Sequence, residues 1–477
     1  MRKIRTQVDT KQITSKFISF KSFNKVTTRI VWIILLLVNV GVAEGQIIHV
    51  SNPGEGNDIS SNIENAWNRA TEGDTVLLPA GNFRIEGTVS LSGADKSNVH
   101  LKGMGSGSNG TRLYREYETS SWMFSIQGGG NIEVSDIWFQ GLRVRFSTSE
   151  TGSDYSLLFG ISFGNNDPYV HDCRFQWFTA KAISITNSSG PVGVISNNEF
   201  IDNITLVREG DWSRGYGIGV KGSDRSWDAV TPGSDDMLYV EDNRFSGQRH
   251  SIAGSQGATF VFRYNTVERN TGNHTVDMHG ARPDWQVDFP YSARFSEVYG
   301  NDFTATPSSD PIYDPPHYGA IGIRGGESLI WNNTFHNYTN NNYSILLKIE
   351  GGWYEEYFDF PSGYDLPNYP IPYQIGWESG NQYGPNHSGT NPSSYGKGDV
   401  FIWDNNFDNS GQVYVVSPIN FEGASYDYLQ EGRDYHFAAR PGYSAYTYPH
   451  PRRSTDDAHV VSLSASPSSG GSVSGGG

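Results

Sequence analysis

Short apolar segments that end in a polar bend recur along the chain. Six times an apolar run is followed by Asn or Asp and then, within a few residues, by Phe. The motif phenylalanines are Phe175, Phe200, Phe245, Phe303, Phe335 and Phe407, and Val267 ends a weaker copy. Asn tolerates the left-handed conformation of a tight bend, and Phe can stack on Phe in the next repeat. The pattern predicts a solenoid of short β-strands.

The spacing of the repeat is typical of one coil of a parallel β-helix. The motif advances 25 residues from Asp172 to Asn197 and 22 residues from Asn243 to Asn265. Longer intervals elsewhere predict inserted loops. Since equivalent positions of successive coils lie above one another, we expect the motif phenylalanines to form one buried stack and the Asn amides to form a ladder.

The segment before the first repeat favours the same architecture. Residues 61–70 carry Ile63, Ala66 and Trp67 at helical spacing, which predicts a short amphipathic helix covering the first coil. Residues 73–85 then read as strand, turn and strand. Together with the Phe repeats, residues 47–407 resemble the pectate lyase-like superfamily. That resemblance implies an all-β, right-handed parallel β-helix. The superfamily includes lyases, hydrolases, epimerases, esterases, tailspikes and adhesins, so the reaction has to come from the site.

Composition and charge restrict the partners. The chain of 477 residues has 55 glycines and only 18% charged residues, which is typical of a turn-rich β protein. Acidic residues outnumber basic ones 51 to 35, which disfavours nucleic acid. An anionic ligand would need a local basic cleft. The single cysteine, Cys173, has no partner for a disulfide within the chain, and we expect a buried, inert thiol.

The two ends differ from the solenoid in composition. Eight basic residues precede an apolar run at residues 31–38, and small residues follow. This order predicts a signal peptide at residues 1–45, because the apolar run is shorter than the ~20 residues that span a bilayer. The solenoid is expected at residues 46–447. Residues 448–477 are predicted to be a flexible linker or the start of a truncated surface repeat. We therefore expect an extracellular or cell-surface monomer without a membrane span after cleavage.

Candidate site residues come from aligning four strands that end in Gly, at residues 217–222, 276–280, 321–325 and 347–351. Alternation directs their apolar residues inward: Ile218, Val220, Val276, Met278, Ile321, Ile323, Leu347 and Ile349. One outward column then holds Lys221, His279, Arg324 and Glu350, and its neighbour holds Gly219, Asp277, Gly322 and Lys348. The glycines leave room for a ligand to approach the backbone. His274 precedes its strand and is expected in a turn.

Positive charge concentrates around these columns. Arg249 and His250 begin the intervening coil, Arg263 and Arg269 belong to the next, and insertions at residues 223–236, 281–296 and 352–398 follow the same strands. Arg pairs with carboxylates in a bidentate manner, and aromatic faces contact sugar rings. We predict that an extracellular anionic polysaccharide binds here, with these substrate-binding residues: Lys221, Arg249, His250, Arg263, Arg269, Trp285 and Glu350. The alternative is a ladder of solvated ion pairs, such as Arg324 with Glu350.

The reaction that these residues favour is β-elimination on a uronic-acid-containing polymer. It requires a cation to neutralise the uronate carboxylate, a base for the C5 proton, and an acid at the leaving oxygen. Arg324, Arg249 or a calcium ion could neutralise the carboxylate, and His279 or Lys348 could be the base. Asp277 would orient His279 or hold the metal. The catalytic set is therefore Asp277, His279, Arg324 and Lys348.

Two other functions remain open. A glycoside hydrolase needs paired carboxylates, and Asp277 and Glu350 lie two coils apart, about 10 Å, at the far limit for an inverting pair. A non-catalytic glycan-binding adhesin needs no such pair. No zinc-ligand spacing appears in the sequence, and no metal ligand is assigned. Calcium is the one cofactor left open, because acidic pairs such as Asp235-Asp236 and Glu355-Glu356 could bind it.

Overall fold

The structure is a computed structural model that describes residues 45–93, 95–117, 121–143, 158–204, 215–222, 230–268, 274–280, 292–305, 319–338, 343–348, 375, 398–408, 413–416, 418–421, 424–427 and 429–453. These residues form one helix and 34 strands, numbered here in chain order. The helix α1 spans Ser60–Arg69. In the described part of the chain, no helix is long and apolar enough to cross a membrane.

Three parallel sheets contain nearly all of the strands. Sheet A has twelve strands: β1 Ile47–His49, β2 Thr75–Leu77, β5 Val99–Lys102, β8 Asn131–Ser135, β11 Asp167–His171, β14 Gly193–Ser196, β17 Leu238–Glu241, β20 Thr259–Arg263, β23 Phe295–Tyr299, β26 Glu327–Trp331, β29 Val400–Trp403 and β34 Tyr435–His436. Sheet B has ten strands: β3 Gly81–Arg84, β6 Thr111–Tyr114, β9 Ile137–Gln140, β12 Arg174–Gln176, β15 Glu199–Ile201, β18 Arg244–Ser246, β21 Thr266–Glu268, β24 Asp302–Thr304, β27 Thr334–His336 and β30 Asn406–Phe407.

Sheet C also has ten strands: β4 Val89–Ser92, β7 Trp122–Gln127, β10 Phe159–Gly164, β13 Lys181–Thr186, β16 Tyr216–Lys221, β19 His250–Ser255, β22 Val276–Met278, β25 Ile321–Ile323, β28 Ile345–Lys348 and β31 Val413–Val416. The strands β32 Pro418–Phe421 and β33 Ala424–Asp427 form a separate antiparallel pair. From β2 to β31 the chain visits sheets A, B and C in turn, and each strand pairs with its equivalent in the next coil. The predicted parallel β-helix is confirmed.

The bend between sheets A and B is built by the Asn of the repeat. The residue before it adopts a positive φ, as in Asp172 (52°), Asn197 (55°) and Asp242 (56°). The next Asn is buried, and its Oδ1 accepts from the backbone N–H and the Nδ2 of the Asn one coil earlier. This ladder runs through Asn198, Asn243, Asn265, Asn301, Asn333 and Asn405. The amides satisfy backbone groups that the bend would otherwise leave unpaired.

Cys173 occupies the ladder position of an earlier coil. Its backbone N–H donates to Asn198 Oδ1 at 3.0 Å, and its side chain is buried. Burial raises the pKa of the Cys173 thiol well above its ordinary value. The thiol is therefore protonated and inert, as expected from the sequence.

The motif phenylalanines stack in two runs along sheet B. Phe175, Phe200 and Phe245 stack with ring centroids 5.1 and 4.6 Å apart. Phe303, Phe335 and Phe407 stack at 5.2 Å each. Val267 lies between the two runs, because it pairs with both Phe245 and Phe303 in register. Phe262 fills the gap, 5.5 Å from Phe245 and 6.3 Å from Phe303. The stack is thus one core column with one aliphatic member.

The helix α1 packs against β1, β2 and β4. Its residues Ile63, Ala66 and Trp67 are buried, as the helical spacing predicted. At the other end of the described chain, residues 443–453 lie on the outer face of sheet A. Arg453 Nη1 donates to Glu241 Oε1 at 2.8 Å, and Arg452 Nη2 donates to the Asp167 carbonyl at 2.8 Å. The segment predicted to be a flexible linker from residue 448 is therefore packed as far as Arg453, because buried carboxylates of sheet A bind it.

Candidate functional site

The outer face of sheet C carries the columns that the sequence predicted, with one change of register. Asp277 pairs with Ala253 on one side and Gly322 on the other, and Gly322 pairs with Leu346. The alignment of the sequence places Lys348 beside Gly322, whereas the structure places Leu346 there, so the predicted register of this strand is shifted by two residues. Both registers bury apolar residues at the inward positions, so alternation could not separate them. Lys348 consequently lies next to Arg324.

The apolar positions of these strands face the core. Among the inward residues named from the sequence, Ile218, Val220, Val276, Met278, Ile321, Ile323 and Leu347 are at most 2% exposed. Ile349 lies outside the described residues. The alternation of apolar and polar residues therefore predicts the correct face for every described position among these. It leaves open what covers the outward positions.

Asp277 occupies an outward position, yet its side chain is only 2% exposed. The expectation of a solvent-facing carboxylate needs correction, because Arg324 covers it. Arg324 Nε donates to Asp277 Oδ1 at 3.0 Å, and Nη2 donates to Oδ2 at 2.6 Å. Burial by itself raises the pKa of the Asp277 carboxyl, but the charge of the Arg324 guanidinium outweighs it, so the pKa lies well below its ordinary value. Asp277 is a fixed negative charge.

Two buried histidines complete the surroundings of this carboxylate. His250 Nε2 lies 4.0 Å from Asp277 Oδ2, and its Nδ1–H donates to the carbonyl oxygen of His274. Burial holds the pKa of His250 well below its ordinary value, so the ring is neutral. His274, expected in a turn, is instead buried with its ring against Gly322. A Cβ on Gly322 would lie 2.1 Å from Cγ of His274, which explains the glycine.

His279 follows β22 and is half-buried. Its Nδ1 lies 2.7 Å from the carbonyl oxygen of Gly280, which can only accept, so Nδ1 carries the proton. The basic nitrogen of the ring is therefore Nε2. The strand holds the residue in place on both sides, since His279 N donates to Gly254 O and Ala293 N donates to His279 O. His279 is the histidine of this group with the chemistry of a general base.

Lys181 is a member of this face that the sequence analysis missed. It begins β13, and its stem lies over Gly219, where an added Cβ would be 2.8 Å from the Lys181 Cδ. Burial, and secondarily Lys221, lower the pKa of Lys181. Gly219 was noted in the sequence as space for a ligand, and the structure fills that space with this lysine. The available signal was the register, since Lys181 pairs with Tyr216 and Tyr216 with His250.

Sheet C is basic although the whole chain carries a net charge of -16. Its described strands and their immediate flanks carry Lys181, Lys221, Arg249, Arg324 and Lys348. On the same described residues, Asp277 is the only acidic side chain. Five cations and one anion give this face a net charge of +4 with neutral histidines. Such a face attracts anionic ligands.

One predicted residue, Arg263, lies on another sheet. Arg263 ends β20 in sheet A and is fully buried, where its Nε donates to Glu241 Oε2 at 2.7 Å. Its two Nη groups donate to the carbonyl oxygens of Tyr446 and Thr447 at 3.0 and 2.9 Å. Arg263 therefore holds the C-terminal segment and is covered by it. Three further predicted residues, Arg269, Trp285 and Glu350, lie outside the described residues.

The acidic pairs considered for calcium are placed only in part. Asp235 and Asp236 are exposed beside a turn that precedes β17, and Glu355 and Glu356 lie outside the described residues. Arg249, by contrast, lies with the sheet C group. Its guanidinium is 5.8 Å from the ring centroid of Tyr216, which itself contacts His250 at 4.8 Å. The arrangement can bind an anion and offer a neutral imidazole beside it.

Comparison with known proteins gives one match in sequence and several in structure. No model of a known protein family matches the chain. The chain is 25% identical over 240 residues to the probable rhamnogalacturonase A of Aspergillus oryzae, a match that covers 40% of this chain and 48% of that protein. The chain thus spans about half the length of the curated relative it matches.

Two solved structures illustrate the structural matches. The alginate lyase of Paenibacillus sp. str. FPU-7 is similar with a TM-score of 0.44 at 11% identity, over 78% of this chain and 98% of that one. The DFA-IIIase of Arthrobacter chlorophenolicus A6 without its lid has a TM-score of 0.45 at 14% identity, over 78% and 92%. The three parallel sheets agree with the resemblance drawn from the repeats: this chain has a parallel β-helix fold.

Proposed function

We propose that the outer face of sheet C binds a uronic-acid-containing polysaccharide outside the cell and cleaves it by β-elimination. The observation that carries this proposal is the charge of the face: the described strands of sheet C and their immediate flanks carry five cations and one buried carboxylate in an otherwise acidic chain. A linear polyuronate carries one carboxylate per uronate residue. A row of cations on stacked strands, about 4.8 Å apart, matches such a polymer in charge and in shape.

The cations divide into two groups. Arg324 binds Asp277 through two donors, so this pair is neutral and fixes the position of both side chains. Lys348 lies beside Arg324 on the next coil, and Lys181 and Lys221 lie on earlier coils of the same sheet. We assign to Lys348 the carboxylate next to the bond that is cleaved, with the guanidinium of Arg324 held beside it by Asp277. The earlier lysines and Arg249 would then bind neighbouring uronates.

His279 is the general base in this proposal. Its Nδ1–H donates to the Gly280 carbonyl, so Nε2 is the nitrogen that accepts the C5 proton of the uronate. The imidazolium that results is stabilised by the fixed charge of Asp277, since the two groups interact electrostatically. Neutralisation of the uronate carboxylate makes the C5 proton more acidic. The electrons of the C5–H bond form the C4–C5 double bond, the C4–O bond breaks, and the leaving oxygen takes a proton from water.

Elimination is favoured over hydrolysis by the number of carboxylates. A glycoside hydrolase uses two carboxyl groups across the scissile bond. On the described strands of sheet C, Asp277 is the only acidic residue, and its partner Arg324 keeps it ionised. The name of the Aspergillus relative, rhamnogalacturonase, supports a polymer containing galacturonic acid as the first substrate to test. Export is supported by the basic, apolar and small residues at the start of the chain.

The test is cleavage of a panel of polygalacturonate, rhamnogalacturonan and alginate, followed by the ultraviolet absorbance of unsaturated ends. We expect at least one of these polymers to give the absorbance and neutral xylan to give none. His279→Ala should lower kcat by about 10²- to 10⁴-fold and leave binding nearly unchanged. Lys221→Ala should raise KM, because it removes a contact made equally in ground and transition states.

Arg244→Ala is the matched control for the loss of a cation. Arg244 forms an exposed ion pair with Glu268 on sheet B, so its removal should leave kcat and KM unchanged. Reducing ends without the absorbance would contradict elimination and favour a hydrolase. Polymer binding without any cleavage, unaffected by His279→Ala, would favour a glycan-binding adhesin.

A further inference from the structure

Three side chains with metal-ligand chemistry meet on sheet A, away from the strands of sheet C. His100 in β5, Glu133 in β8 and His171 in β11 come from three successive coils. Their ligand atoms all lie within 4.8 Å of one another, and no other group of this kind occurs among the described residues. Glu133 Oε1 is 3.1 Å from Nε2 of His100 and 3.1 Å from Nε2 of His171. All three side chains are largely shielded from solvent.

The hydrogen bond at the far side of His171 decides which nitrogen carries its proton. Nδ1 lies 2.7 Å from Asp172 Oδ2, and since a carboxylate can only accept, Nδ1–H donates. In the neutral ring, Nε2 then carries a lone pair and no proton. It faces Glu133 Oε1, which is also an acceptor. Two acceptors at 3.1 Å are stable only with positive charge between them, either a second ring proton or a metal ion.

His100 points its Nε2 at the same carboxylate oxygen. Ser135 Oγ lies 2.9 Å from this nitrogen, and the Ser135 hydroxyl donates to Asp136 Oδ2 at 2.8 Å. Nε2 of the metal-free His100 ring therefore donates its proton to Ser135 Oγ or to Glu133 Oε1. A bound metal ion would replace this proton and select the Nδ1–H tautomer, whose lone pair faces the point that Glu133 and His171 also face. Two imidazole nitrogens and one carboxylate oxygen then converge, which is a donor set for a divalent transition metal.

We propose that His100, Glu133 and His171 form a binding site for a divalent transition metal ion, with Zn²⁺ as the best match. Zinc sites that leave a fourth position for water use three protein ligands of this kind, at about 2.0–2.2 Å. A tetrahedron with such bonds has edges of about 3.3 Å, close to the two observed separations of 3.1 Å. Calcium fits less well, since it prefers oxygen ligands throughout.

The surroundings have two further features of a metal site. A ligating histidine usually donates its other ring N–H to a carboxylate, and Asp172 accepts that proton from His171. The local charge also suits a cation. Glu133, Asp136 and Asp172 are acidic and Lys102 is basic, which leaves -2 with neutral rings. A bound ion would tie together three coils near the N-terminal end of the solenoid.

The experiment is zinc titration of the untagged full chain in competition with a chromophoric chelator, together with thermal unfolding in zinc and in EDTA. We expect one zinc per chain and a Tm that rises with zinc and falls again when EDTA removes it. X-ray absorption of the loaded protein should show two imidazole ligands. His100→Ala and His171→Ala should each lower zinc affinity at least about 100-fold, and Asp172→Asn about 10-fold.

Two histidine variants serve as controls. His336 lies between two carboxylates, 3.4 Å from Asp302 Oδ1 and 2.9 Å from Asp408 Oδ2, as His171 does, but without a second histidine. His336→Ala should therefore bind zinc as the wild type does. His279→Ala should do the same, because His279 belongs to the sheet C group.

Absence of saturable zinc binding by the wild type would overturn the proposal. Binding that survives His100→Ala in a folded variant would overturn it as well. His171 would then be an imidazolium between Glu133 and Asp172. The wild-type Tm in zinc and in EDTA keeps the test valid if the variants do not fold. None of these outcomes depends on polysaccharide cleavage.

Discussion

Replacing Asn265 with alanine tests the Asn ladder as the main polar support of the solenoid. The Asn265 amide is buried in the middle of the ladder and makes five hydrogen bonds. Its Oδ1 accepts from the backbone N–H and the Nδ2 of Asn243 at 2.9 and 3.1 Å. Its Nδ2 donates to the carbonyl oxygens of Val240 and Arg263 at 2.9 and 3.0 Å, and to Asn301 Oδ1 at 3.1 Å.

The expected loss of stability follows from what remains unpaired. Asn243 Nδ2 keeps other acceptors, the carbonyls of Ile195 and Glu241, and Asn301 Oδ1 still accepts from Asn265 N. The backbone N–H of Asn243 loses its ladder acceptor inside the core. A buried unsatisfied donor costs about 1–3 kcal/mol, and the Val240 and Arg263 carbonyls, which lose their bonds to Asn265 Nδ2, cost about 1 kcal/mol each, so we expect about 3–5 kcal/mol in total.

The assay is urea unfolding followed by circular dichroism, with the free energy of unfolding compared between wild type and variant. Asn131→Ala is the matched control, because Asn131 is exposed and its Nδ2 donates to Asn98 Oδ1 at 3.1 Å on the surface. That change should cost less than about 0.5 kcal/mol. If Asn265→Ala costs no more than the control, the ladder is not the main polar support of the coil.

Three further predictions concern the two outer faces. Gly322→Ala would force the ring of His274 to move, since the new Cβ would lie 2.1 Å from its Cγ. We expect polysaccharide turnover to fall roughly 10- to 100-fold, against no change for Gly107→Ala, where an added Cβ meets nothing within 4 Å. Arg263→Ala should destabilise the chain by about 2–4 kcal/mol in urea unfolding, because the buried Glu241 carboxylate loses a charge-assisted partner and keeps only Arg453 and the His450 N–H, and should leave KM unchanged; a raised KM would return Arg263 to the substrate site. The free energy of unfolding should fall as the pH is lowered through about 6.5, because His250 of the unfolded chain then binds a proton and the buried, neutral His250 of the folded chain does not. For this group the free energy of unfolding changes by at most about 1.4 kcal/mol per pH unit. An unaltered pH dependence in His250→Gln would contradict this prediction.

The fold was predictable because its stabilising residues repeat in the sequence. Each coil needs the same bend and the same core position, so Asn and Phe recur at matching offsets, such as Asn243 with Phe245. Residues that pair between neighbouring coils are separated by the spacing of the repeat: Arg174 and Glu199 are 25 residues apart, and Arg244 and Thr266 are 22 residues apart. Val267 interrupts the Phe column without shifting the register, since a core position requires an apolar residue of suitable size.

The candidate site was predictable in its face and less so in its surroundings. Alternation separates inward from outward residues, but it is blind to a shift of two, which is how Lys348 was set beside Gly322. It also cannot show that Arg324 covers Asp277, since that depends on side-chain packing. Arg263 was assigned to the groove from charge alone. The available signal was its position two residues before the ladder residue Asn265. Glu241 lies at the same distance before Asn243, and both positions end strands of sheet A.

The residues of the proposed metal site had a weaker signal. His100, Glu133 and His171 are 33 and 38 residues apart, whereas zinc-ligand patterns in sequence rely on short spacings. Only the register of sheet A brings them together, because His100 pairs with Glu133 and Glu133 with Tyr169. The coil of His100 lacks the Asn and Phe repeat. The coil of Glu133 carries a copy, Asp136 to Phe139, whose ring stacks on Phe175 at 5.2 Å, but this copy was not among those recognised from the sequence.

We propose above that the basic face of sheet C cleaves a polyuronate by elimination. The chemical structure of the cleavage products tests this proposal most directly. Cleavage of polygalacturonate in water enriched in ¹⁸O, followed by mass spectrometry of the oligomers, separates the two reactions. Elimination adds no water, so the account predicts unsaturated oligomers without ¹⁸O, and none of them from His279→Ala. Saturated oligomers that carry ¹⁸O at the new reducing end, formed equally well by His279→Ala, would contradict it.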